Sequence, residues 1–524
     1  MIAARAHAIA LTGVHGDVVE VVAAIRNGPG LLLLEGLPDT ALREARDRVR
    51  AAIINSQHQW PHGQVTVSVT PASLPKRGTS FDLGIAVAIL AAAGSIRAAA
   101  LDGIAFTGEL GLDGALRPVP GALPSAAAAA AAGFATVVVP PGNLREALLV
   151  PGVRVVAPAT LAALVAWLND HRQAGAAVQV AEPGTGLPPP GDSAPQAGHE
   201  DVPERDLADV AGQPHARRAA EICAAGGHHL LLRGRAGLGR TLLAERIPSI
   251  MPDLSPAEAL EVTAIRSVAG ALPEGMPLVT RPPFIAPHHT ATIAAIVGGG
   301  GSGIIRPGAA SLAHRGCLFL DCAPEFSRAT LDALRQPAET GEIAIARAGV
   351  TVRIPARFTL VLGADLCPCR RAAAGGEGAC DCTPLERRRY LARLSGPLLD
   401  RADLKITPLP VTRDMLLADA RSAEPGTVVA GRVAAARDRA ARRLNGTPWQ
   451  LNANVPGPEI RRAFPPEPAA TVPLERAMAL GQVSTRSADR IIALSWTLAD
   501  LAGVARPRMA EVGSALSLWL GEAP

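Results

Sequence analysis

The chain has 524 residues, of which 48% are hydrophobic and 19% charged, so it is long and apolar enough for several folded domains. This composition excludes a wholly disordered protein. Aromatic residues make up only 3%, which excludes aromatic stacking on bases as the main mode of recognition. The formal net charge of +4 is too small to indicate nucleic acid by itself.

The start of the chain and the cysteines indicate the compartment. Charged residues and histidines within the first 17 residues interrupt the apolar core that a signal peptide needs, so we expect the mature chain to start at Met1. The apolar stretches 83–96 and 122–139 are interpreted as parts of folded domains rather than membrane spans. Seven cysteines in so long a chain do not make a secreted disulfide framework. We therefore expect a cytoplasmic protein without a membrane partner.

Composition and periodicity divide the chain into four parts. Short apolar runs alternate with alanine-rich helical stretches near the N-terminus, and a Pro- and Gly-rich segment follows them. The end of the chain is mostly helical, with 428–444 and 487–501 the clearest amphipathic segments. The predicted parts are an α/β domain at 1–171, a linker at 172–206, an α/β core at 207–408 and a helical C-terminal lid at 409–524.

A glycine-rich loop opens the predicted core. The apolar strand His229–Leu232 precedes Gly-Arg-Ala-Gly-Leu-Gly-Arg-Thr at 234–241, and a helical run follows at Leu242–Ile247. Glycines let successive backbone N–H groups face a phosphate, and the Thr241 hydroxyl is placed to hold Mg²⁺. The spacing is that of a P-loop, except that Arg240 stands where the motif requires lysine. A glycine-rich turn without a ligand is the alternative interpretation of the loop alone.

A second element supports the first. Residues 316–321 (Gly-Cys-Leu-Phe-Leu-Asp) form an apolar run that ends in the carboxylate of Asp321. A buried strand that ends in a carboxylate is expected of the second magnesium-binding element in a P-loop nucleotidase. The two elements together predict a site for a magnesium-bound nucleotide.

Further segments along the chain carry a family resemblance. They are Gly212-Gln213, Ala224-Ala225-Gly226-Gly227-His228, Pro287-His288-His289-Thr290, Gly298-Gly299-Gly300, Ser311-Leu312-Ala313-His314-Arg315-Gly316, Leu334-Arg335-Gln336-Pro337 and Ser395-Gly396-Pro397-Leu398-Leu399-Asp400-Arg401. With the loop and the strand, these segments resemble the ComM/YifB proteins, the magnesium-chelatase-like branch of the AAA+ ATPases. The resemblance covers nearly the whole chain.

The resemblance assigns roles to individual residues. It makes 234–241 the Walker A loop and Asp321 the Walker B carboxylate that holds Mg²⁺ with Thr241, and it makes Arg486 the sensor-2 arginine of the lid. Arg401 resembles the arginine finger offered to a neighbouring subunit's nucleotide in a homo-oligomeric, hexameric ring. The residues that the resemblance places at ATP are Gly234, Gly237, Gly239, Arg240, Thr241, Leu242, Asp321 and Arg486.

Three catalytic positions depart from the family pattern. Arg240 replaces the Walker A lysine, Cys322 replaces the Walker B glutamate that orients the attacking water, and Asp365 replaces the sensor-1 asparagine. Loss of a general base typically lowers a rate by about 10²- to 10⁴-fold, and Asp365 puts an anion where an amide would donate to the γ-phosphate. All three changes oppose hydrolysis. The chain has only two lysines, so compositional drift explains Arg240 alone, and Glu325 is an alternative general base.

Four cysteines lie close together in the predicted core. They form the two pairs Cys367-Pro368-Cys369 and Cys380-Asp381-Cys382. Four thiolates complete a tetrahedral zinc site, and the segment between the pairs is long enough to fold back. Free buried thiols and a redox disulfide are the alternatives, while Cys223 and Cys317 are expected to be small core residues.

The N-terminal part resembles the Lon-protease-like domain of the same family, in the segments Pro71–Leu83 and Gly108-Glu109-Leu110. A Ser–Lys hydrolase requires a lysine amine beside the serine. Ser80 falls near the serine position, but no lysine occurs in residues 118–125, where the partner is needed. We therefore expect a docking or oligomerisation domain rather than a protease.

The segment Glu342–Arg353 alternates apolar and polar residues about a turn at Ala348-Gly349, which predicts a two-stranded hairpin. Its residues Arg347 and Arg353 are candidates for contacts with a phosphate backbone, and a solvated face is the alternative. The neighbouring histidines of the core, His288 and His289, are expected to be core or hydrogen-bonding residues rather than metal ligands.

Three functions remain. The first is an ATP- and magnesium-binding ring protein that binds DNA or another partner without efficient hydrolysis. The second is an active ATP-driven translocase on branched or single-stranded DNA, as the resemblance implies for an intact member. The third is a motor subunit of a chelatase that works with a tetrapyrrole-inserting partner, although no integrin-like domain supports it. The three departures favour the first function.

Overall fold

The computed structural model describes residues 2–36, 39–71, 74, 76, 78–170, 177–183, 205–235, 237–272, 278–300, 305–347, 350–369 and 380–521. The strands are β1 (Ile2–Thr12), β2 (His15–Arg26), β3 (Leu32–Glu35), β4 (Gln64–Thr70), β5 (Ile104–Phe106), β6 (Glu109–Leu110), β7 (Leu116–Arg117), β8 (Thr136–Val138), β9 (Arg154–Pro158), β10 (Val178–Ala181), β11 (Leu230–Arg233), β12 (Phe284–Ile285), β13 (Gly298–Gly299), β14 (Arg306–Pro307), β15 (Cys317–Leu320), β16 (Glu342–Arg347), β17 (Val350–Pro355), β18 (Thr359–Ala364) and β19 (Leu404–Ile406).

The helices are α1 (Asp39–Asn55), α2 (Asp82–Ala92), α3 (Ala122–Ala131), α4 (Leu144–Ala147), α5 (Leu161–Asn169), α6 (Pro214–Gly226), α7 (Arg240–Arg246), α8 (Pro256–Ala269), α9 (Ile293–Val297), α10 (Ala309–Leu312), α11 (Arg328–Ala333), α12 (Arg335–Thr340), α13 (Pro384–Leu391), α14 (Gly396–Leu399), α15 (Arg413–Ser422), α16 (Gly426–Arg443), α17 (Gly457–Ala463), α18 (Val472–Ala479), α19 (Thr485–Ala502) and α20 (Met509–Leu520).

The N-terminal part is built on an eight-stranded mixed sheet with the order β10-β9-β8-β5-β1-β2-β4-β3. Its longest pairing is the antiparallel hairpin of β1 and β2. Alternate residues of β2 and β4 are buried, as expected of strands with one face on the core. Helix α2 is buried along its whole length, in agreement with its apolar sequence after Asp82. Within the described ranges, no helix is both long enough and apolar enough to cross a membrane.

The predicted linker starts too early at residue 172. Residues 178–181 form β10, which pairs antiparallel with β9 and closes one edge of the eight-stranded sheet. Only Val178 of this strand is buried, so the segment lacks the apolar pattern that the prediction relied on. The rest of the predicted linker, apart from 177, 182–183 and 205–206, lies outside the described residues.

The second sheet has five strands in the order β12-β15-β18-β11-β19, and every pairing in it is parallel. The carboxyl ends of β11, β15 and β18 therefore lie at one edge of the sheet. Ligands of open parallel sheets bind outside this edge. Cys223 and Cys317 are fully buried in the core around the sheet, which confirms the expectation for both.

The C-terminal part is helical from α15 to α20, and the two predicted amphipathic segments are confirmed as α16 and α19. Both pack into the hydrophobic cluster that contains β11 and α6, so this part shares a core with the parallel sheet. The Trp496 indole donates a hydrogen bond to the Phe464 carbonyl at 2.8 Å and fixes α19 beside α17.

The predicted hairpin is also confirmed, as the antiparallel pair β16 and β17 with Ala344 opposite Arg353. Its predicted turn at 348–349 lies outside the described residues. The Arg353 guanidinium lies 3.4 Å from the Glu342 carboxylate, and 72% of the Arg353 side chain is exposed.

Candidate functional site

The glycine-rich loop joins the carboxyl end of β11 to the first residue of α7. Gly237 and Gly239 adopt φ angles of +83° and +74°, which strain any residue with a side chain. The loop is fixed to the sheet because the Gly234 N–H donates to the Ala364 carbonyl at the end of β18. The Gln213 amide also donates to the Leu238 carbonyl at 2.8 Å. Strand, loop and helix thus follow the predicted order, and Ala236 lies outside the described residues.

The two residues predicted to hold Mg²⁺ lie together. The Thr241 hydroxyl donates to the Asp321 carboxylate at 3.3 Å, and the second oxygen of that carboxylate accepts the Cys322 N–H at 2.9 Å. Thr241 is exposed and Asp321 is half-buried, so both remain open to solvent at the carboxyl edge. One hydroxyl and one carboxylate with room for water and phosphate oxygens are a suitable donor set for Mg²⁺.

The three residues predicted to depart from the family pattern lie together, with Asp365 in contact with both of the others. The Arg240 guanidinium donates to one oxygen of the Asp365 carboxylate at 2.7 Å, and the Cys322 thiol lies 3.7 Å from the other oxygen. Only 7% of the Arg240 side chain and 2% of the Asp365 side chain are exposed. A second Arg240 nitrogen lies 3.5 Å from the Gly234 carbonyl oxygen. The arginine therefore folds back over its own loop and is neutralised by Asp365.

The alternative general base, Glu325, has another partner. Its carboxylate lies 3.6 Å from the Arg393 guanidinium, which also donates to the Pro324 carbonyl. The Cys322 thiol contacts the Asp365 carboxylate at 3.7 Å. Cys322 therefore lies beside Asp365 at the position where the resemblance leads us to expect a glutamate.

Arg401 and Arg486 lie at the opposite edge of the parallel sheet. Arg401 precedes β19, and both arginines contact the Glu339 carboxylate, Arg486 at 2.6 Å. They line a cavity of about 1130 Å³ together with His229, which precedes β11. The four residues of β11, at about 3.3 Å each, separate this edge from the loop by roughly 13 Å. Within one chain, these two arginines and the glycine-rich loop therefore face different sites.

Comparison with known proteins places the chain in a family. Three family models match it: magnesium chelatase subunit ChlI at residues 206–415, subunit ChlI of Mg-chelatase at 19–143, and the ChlI C-terminal model at 423–518. An uncharacterized protein of Mycobacterium tuberculosis H37Rv is 46% identical over 98% of both chains. The uncharacterized protein YifB of Escherichia coli K12 is 42% identical over 94% of this chain and 92% of its own length. Competence protein ComM of Haemophilus influenzae is 36% identical over 95% of this chain and 94% of its own length.

The chain belongs to the magnesium-chelatase-like ComM/YifB family. The three models cover most of its length, and the relatives align along nearly all of it. The resemblance drawn from the sequence motifs is thereby confirmed.

The cysteine pairs of this family member converge in space. One sulfur atom from each of Cys367, Cys369, Cys380 and Cys382 lies within 4.8 Å of the other three. The shortest Sγ–Sγ separations are 3.3 to 3.5 Å, so the four residues are free thiols rather than disulfides. Tetrahedral zinc with Zn–S bonds of about 2.3 Å places its sulfur ligands roughly 3.8 Å apart. The cluster therefore fits a four-coordinate metal, and the intervening residues 370–379 lie outside the described part of the chain.

The structure also joins residues that the sequence did not single out. The Asp403 carboxylate accepts hydrogen bonds from Arg490 at 2.7 Å and pairs with the His228 ring at 3.0 Å. Burial alone raises the pKa of this carboxyl, but the Arg490 charge and the His228 hydrogen bond outweigh it and hold the pKa below its usual value. The buried group ties α19 to the amino ends of β11 and β19. His228 lay within a matching segment, and no motif marked Asp403 or Glu339.

The neighbouring histidines make a local contact. The His288 ring is exposed and hydrogen bonds to the Thr290 hydroxyl at 2.8 Å. Its centroid lies 4.1 Å from that of the half-buried His289, with the ring planes tilted by 35°. His288 is therefore a hydrogen-bonding residue, as one of the two expectations held, and neither histidine is in the core.

In the N-terminal part, Lys76 is buried and its amine donates to the carbonyl oxygens of Pro71 and Gly36. The backbone carbonyl of Ser80 accepts the Gly108 N–H, which joins the two segments that resemble the Lon-type domain. Asp82, at the start of α2, pairs with Arg48 at 2.7 Å, yet burial raises the pKa of its carboxyl to about 6. These contacts fix the two segments against the sheet.

Proposed function

We propose that this protein binds a magnesium-bound adenine nucleotide and hydrolyses ATP weakly or not at all. The observation that carries the proposal is the 2.7 Å ion pair between Arg240 and Asp365, beside a Thr241–Asp321 pair that retains the donors for Mg²⁺. The glycine-rich loop keeps the backbone that cradles phosphates, which supports binding. Cysteine in place of the expected glutamate at position 322 supports impaired hydrolysis, because the thiol supplies no carboxylate base and the Glu325 carboxylate lies against Arg393.

The experiment separates binding from chemistry on one sample. The purified chain is titrated with labelled ATP and ADP in the presence of Mg²⁺, and phosphate release is then followed at saturation. We expect saturable binding that Asp321→Ala weakens, with phosphate release close to the spontaneous rate. Asp332→Ala, an exposed carboxylate on α11, is the matched control. Brisk turnover that Asp321→Ala abolishes contradicts impaired hydrolysis, and absence of binding contradicts the whole proposal.

We further infer that the protein forms a homo-oligomeric ring, as is expected of an AAA+ protein. The placement of Arg401 and Arg486 at the sheet edge opposite the loop supports this proposal, since their charges then meet the nucleotide of a neighbouring subunit. The N-terminal domain, boundaries 1–171, is proposed as a Lon-protease-like docking unit of this ring without peptidase activity.

Association with branched or single-stranded DNA is a second element of the proposal. The β16–β17 hairpin favours it, because 72% of the Arg353 side chain is exposed and its partner Glu342 also remains open to solvent, with 47% of its side chain exposed. We expect Arg353→Glu to weaken binding of a branched DNA and to reduce its salt dependence. Arg328→Glu, which reverses an exposed charge on α11, is the control. Equal effects of the two variants contradict a specific role for the hairpin.

The four-cysteine cluster is proposed as a structural zinc site. Its four thiol groups supply the sulfur donors that zinc prefers, and the metal would cross-link the end of β18 to the start of α13.

A further inference from the structure

The contacts of Asp365 bear on which nucleotide the loop accepts. Its carboxylate is almost fully buried and both of its oxygens are engaged, one by Arg240 at 2.7 Å and the other by the Cys322 thiol at 3.7 Å. Two contacts from different elements hold this carboxylate in one orientation. The anion is therefore a fixed part of the site.

Arg240 occupies the position from which a P-loop cation reaches the terminal phosphates of a bound nucleotide. In this chain the Arg240 guanidinium already has the Asp365 carboxylate as its partner. Only 7% of the Arg240 side chain is exposed. A third phosphate must displace the carboxylate from Arg240 or lie beside it as a like charge. Both alternatives disfavour a triphosphate. Displacement breaks the buried ion pair, and a carboxylate a few ångströms from the third phosphate raises the free energy of the bound state by repulsion.

The groups that hold the first two phosphates are not part of the ion pair. Arg240 contacts the loop through the carbonyl oxygen of Gly234, so the backbone at Gly237 and Gly239 is not engaged by its guanidinium. Thr241, the residue after Arg240, contacts Asp321 at 3.3 Å and takes no part in the ion pair. The backbone of the loop, with Thr241 and Asp321, can therefore hold a diphosphate and its Mg²⁺ while Arg240 stays paired with Asp365.

We propose that the loop at 234–241 selects a nucleoside diphosphate over the triphosphate, because the Asp365 carboxylate takes the place of the third phosphate on Arg240. This inference rests on the proposed nucleotide binding and names its ligand class. The chain is then a sensor of the diphosphate rather than a consumer of the triphosphate.

The test compares equilibrium binding of ADP and of the non-hydrolysable β,γ-imido analogue of ATP to the full chain with Mg²⁺. We expect ADP to bind about tenfold or more tightly. The variant Asp365→Asn keeps the size and a hydrogen-bond acceptor for Arg240 but removes the charge. It is expected to gain about tenfold in affinity for the ATP analogue and to change by less than about threefold for ADP. Asp332→Asn on α11 is the control that removes an exposed carboxylate.

Inorganic polyphosphates give a second measurement on the unaltered chain. Pyrophosphate is expected to displace labelled ADP at lower concentration than tripolyphosphate, which decides the matter even where Asp365→Asn does not fold. Equal or tighter binding of the ATP analogue overturns the inference and leaves nucleotide binding in place. A preference for ADP that Asp365→Asn does not alter also overturns it. Absence of binding by both nucleotides overturns the proposed function itself.

Discussion

Arg240, Cys322 and Asp365 act as one unit in this molecule. They lie in three separate segments of the sequence, yet one buried carboxylate contacts the other two. The Asp365 carboxylate, where the resemblance leads us to expect a neutral asparagine, is the partner of the Arg240 charge and offsets it. Residues in such direct contact are expected to have non-additive effects when they are changed.

The first prediction concerns restoring the three family residues. Cys322→Glu alone places a second carboxylate beside Asp365, so we expect it to raise ATP turnover by less than about tenfold. The triple change Arg240→Lys, Cys322→Glu and Asp365→Asn removes the ion pair and supplies the general base. It is expected to raise steady-state phosphate release by about 10²-fold or more.

Addition of Asp321→Ala to the triple variant is the control, and it must remove the gain. A single Cys322→Glu variant with the full gain would show that the ion pair does not restrain catalysis.

The sequence predicted the individual residues of this site and the proximity of Thr241 to Asp321, but it did not predict the contact between Arg240 and Asp365. Glycine spacing and an apolar run before Asp321 are local patterns, and both were readable. The Arg240–Asp365 pair joins residues 125 positions apart, so it depends on β11 and β18 being neighbours in the sheet. No local pattern encodes that neighbourhood.

The four clustered cysteines lie between the end of β18 and the start of α13. Cys367 is buried, while its three partners are half-buried, and α13 begins one residue after Thr383, which caps it. We expect purified protein to carry about one equivalent of zinc per chain and to lose thermal stability on chelation.

Cys380→Ser is expected to lose the metal, whereas Cys322→Ser, outside the cluster, is expected to retain it. Elemental analysis of protein purified without chelator checks both variants. Less than a tenth of an equivalent in the unaltered chain would reject zinc, and metal loss from Cys322→Ser would place the metal elsewhere.

Elements with a strong hydrophobic periodicity could be predicted from the sequence. An element that is defined by its pairing with a neighbouring strand could not. Helices α16 and α19 followed from their amphipathic pattern, and the β16–β17 hairpin followed from alternation. Strand β10 was missed because one of its residues alone is buried, and its hydrogen bonds to β9 define it instead. Edge strands of this kind carry little hydrophobic signal in their own sequence.

For the whole molecule, a change at Arg401 is expected to distinguish the assembly of subunits from the binding of nucleotide to one subunit. Because Arg401 lies at the sheet edge opposite the loop, we expect Arg401→Ala to leave the nucleotide affinity of dilute, isolated subunits within about threefold. The same change is expected to weaken nucleotide-dependent assembly, measured by sedimentation velocity with and without nucleotide.

Arg328→Ala, which removes an exposed arginine with 80% of its side chain accessible, is expected to change neither quantity. Weaker binding to isolated Arg401→Ala subunits would instead place this arginine at the chain's own nucleotide.

The stability of the parallel sheet is expected to fall in mild acid because of His229. Burial lowers the pKa of this ring from 6.5 to about 4, with the Arg490 charge adding to the effect, and Nδ1 accepts the Leu360 N–H at 3.0 Å. The unfolded chain gains a proton below pH 6.5, whereas the folded chain remains neutral down to about pH 4. This contribution to stability is therefore fully present above pH 6.5 and is lost as the pH falls towards 4, by about 3 kcal/mol.

Urea unfolding at a series of pH values checks this expectation. His229→Asn retains an acceptor for the Leu360 N–H without titrating, so its stability is expected to depend less on pH between 6.5 and 4. The exposed residue His15 supplies the control, His15→Asn, which should follow the unaltered chain. A His229→Asn variant with the same acid sensitivity as the unaltered chain would assign the loss to other groups.

The polarity of the parallel sheet gives each copy of this chain two unequal roles. Arg401 and Arg486 lie at one edge of the sheet with Glu339, whereas Arg240, Cys322 and Asp365, which we predict to replace catalytic groups, lie at the other. If the proposed ring also admits an unaltered relative, our proposal predicts that such a copy completes the catalytic centre of one neighbour and hydrolyses little ATP at its own. The ATP turnover of the ring would then depend on whether the unaltered relative lies next to the edge with Arg401 or next to the edge with Arg240.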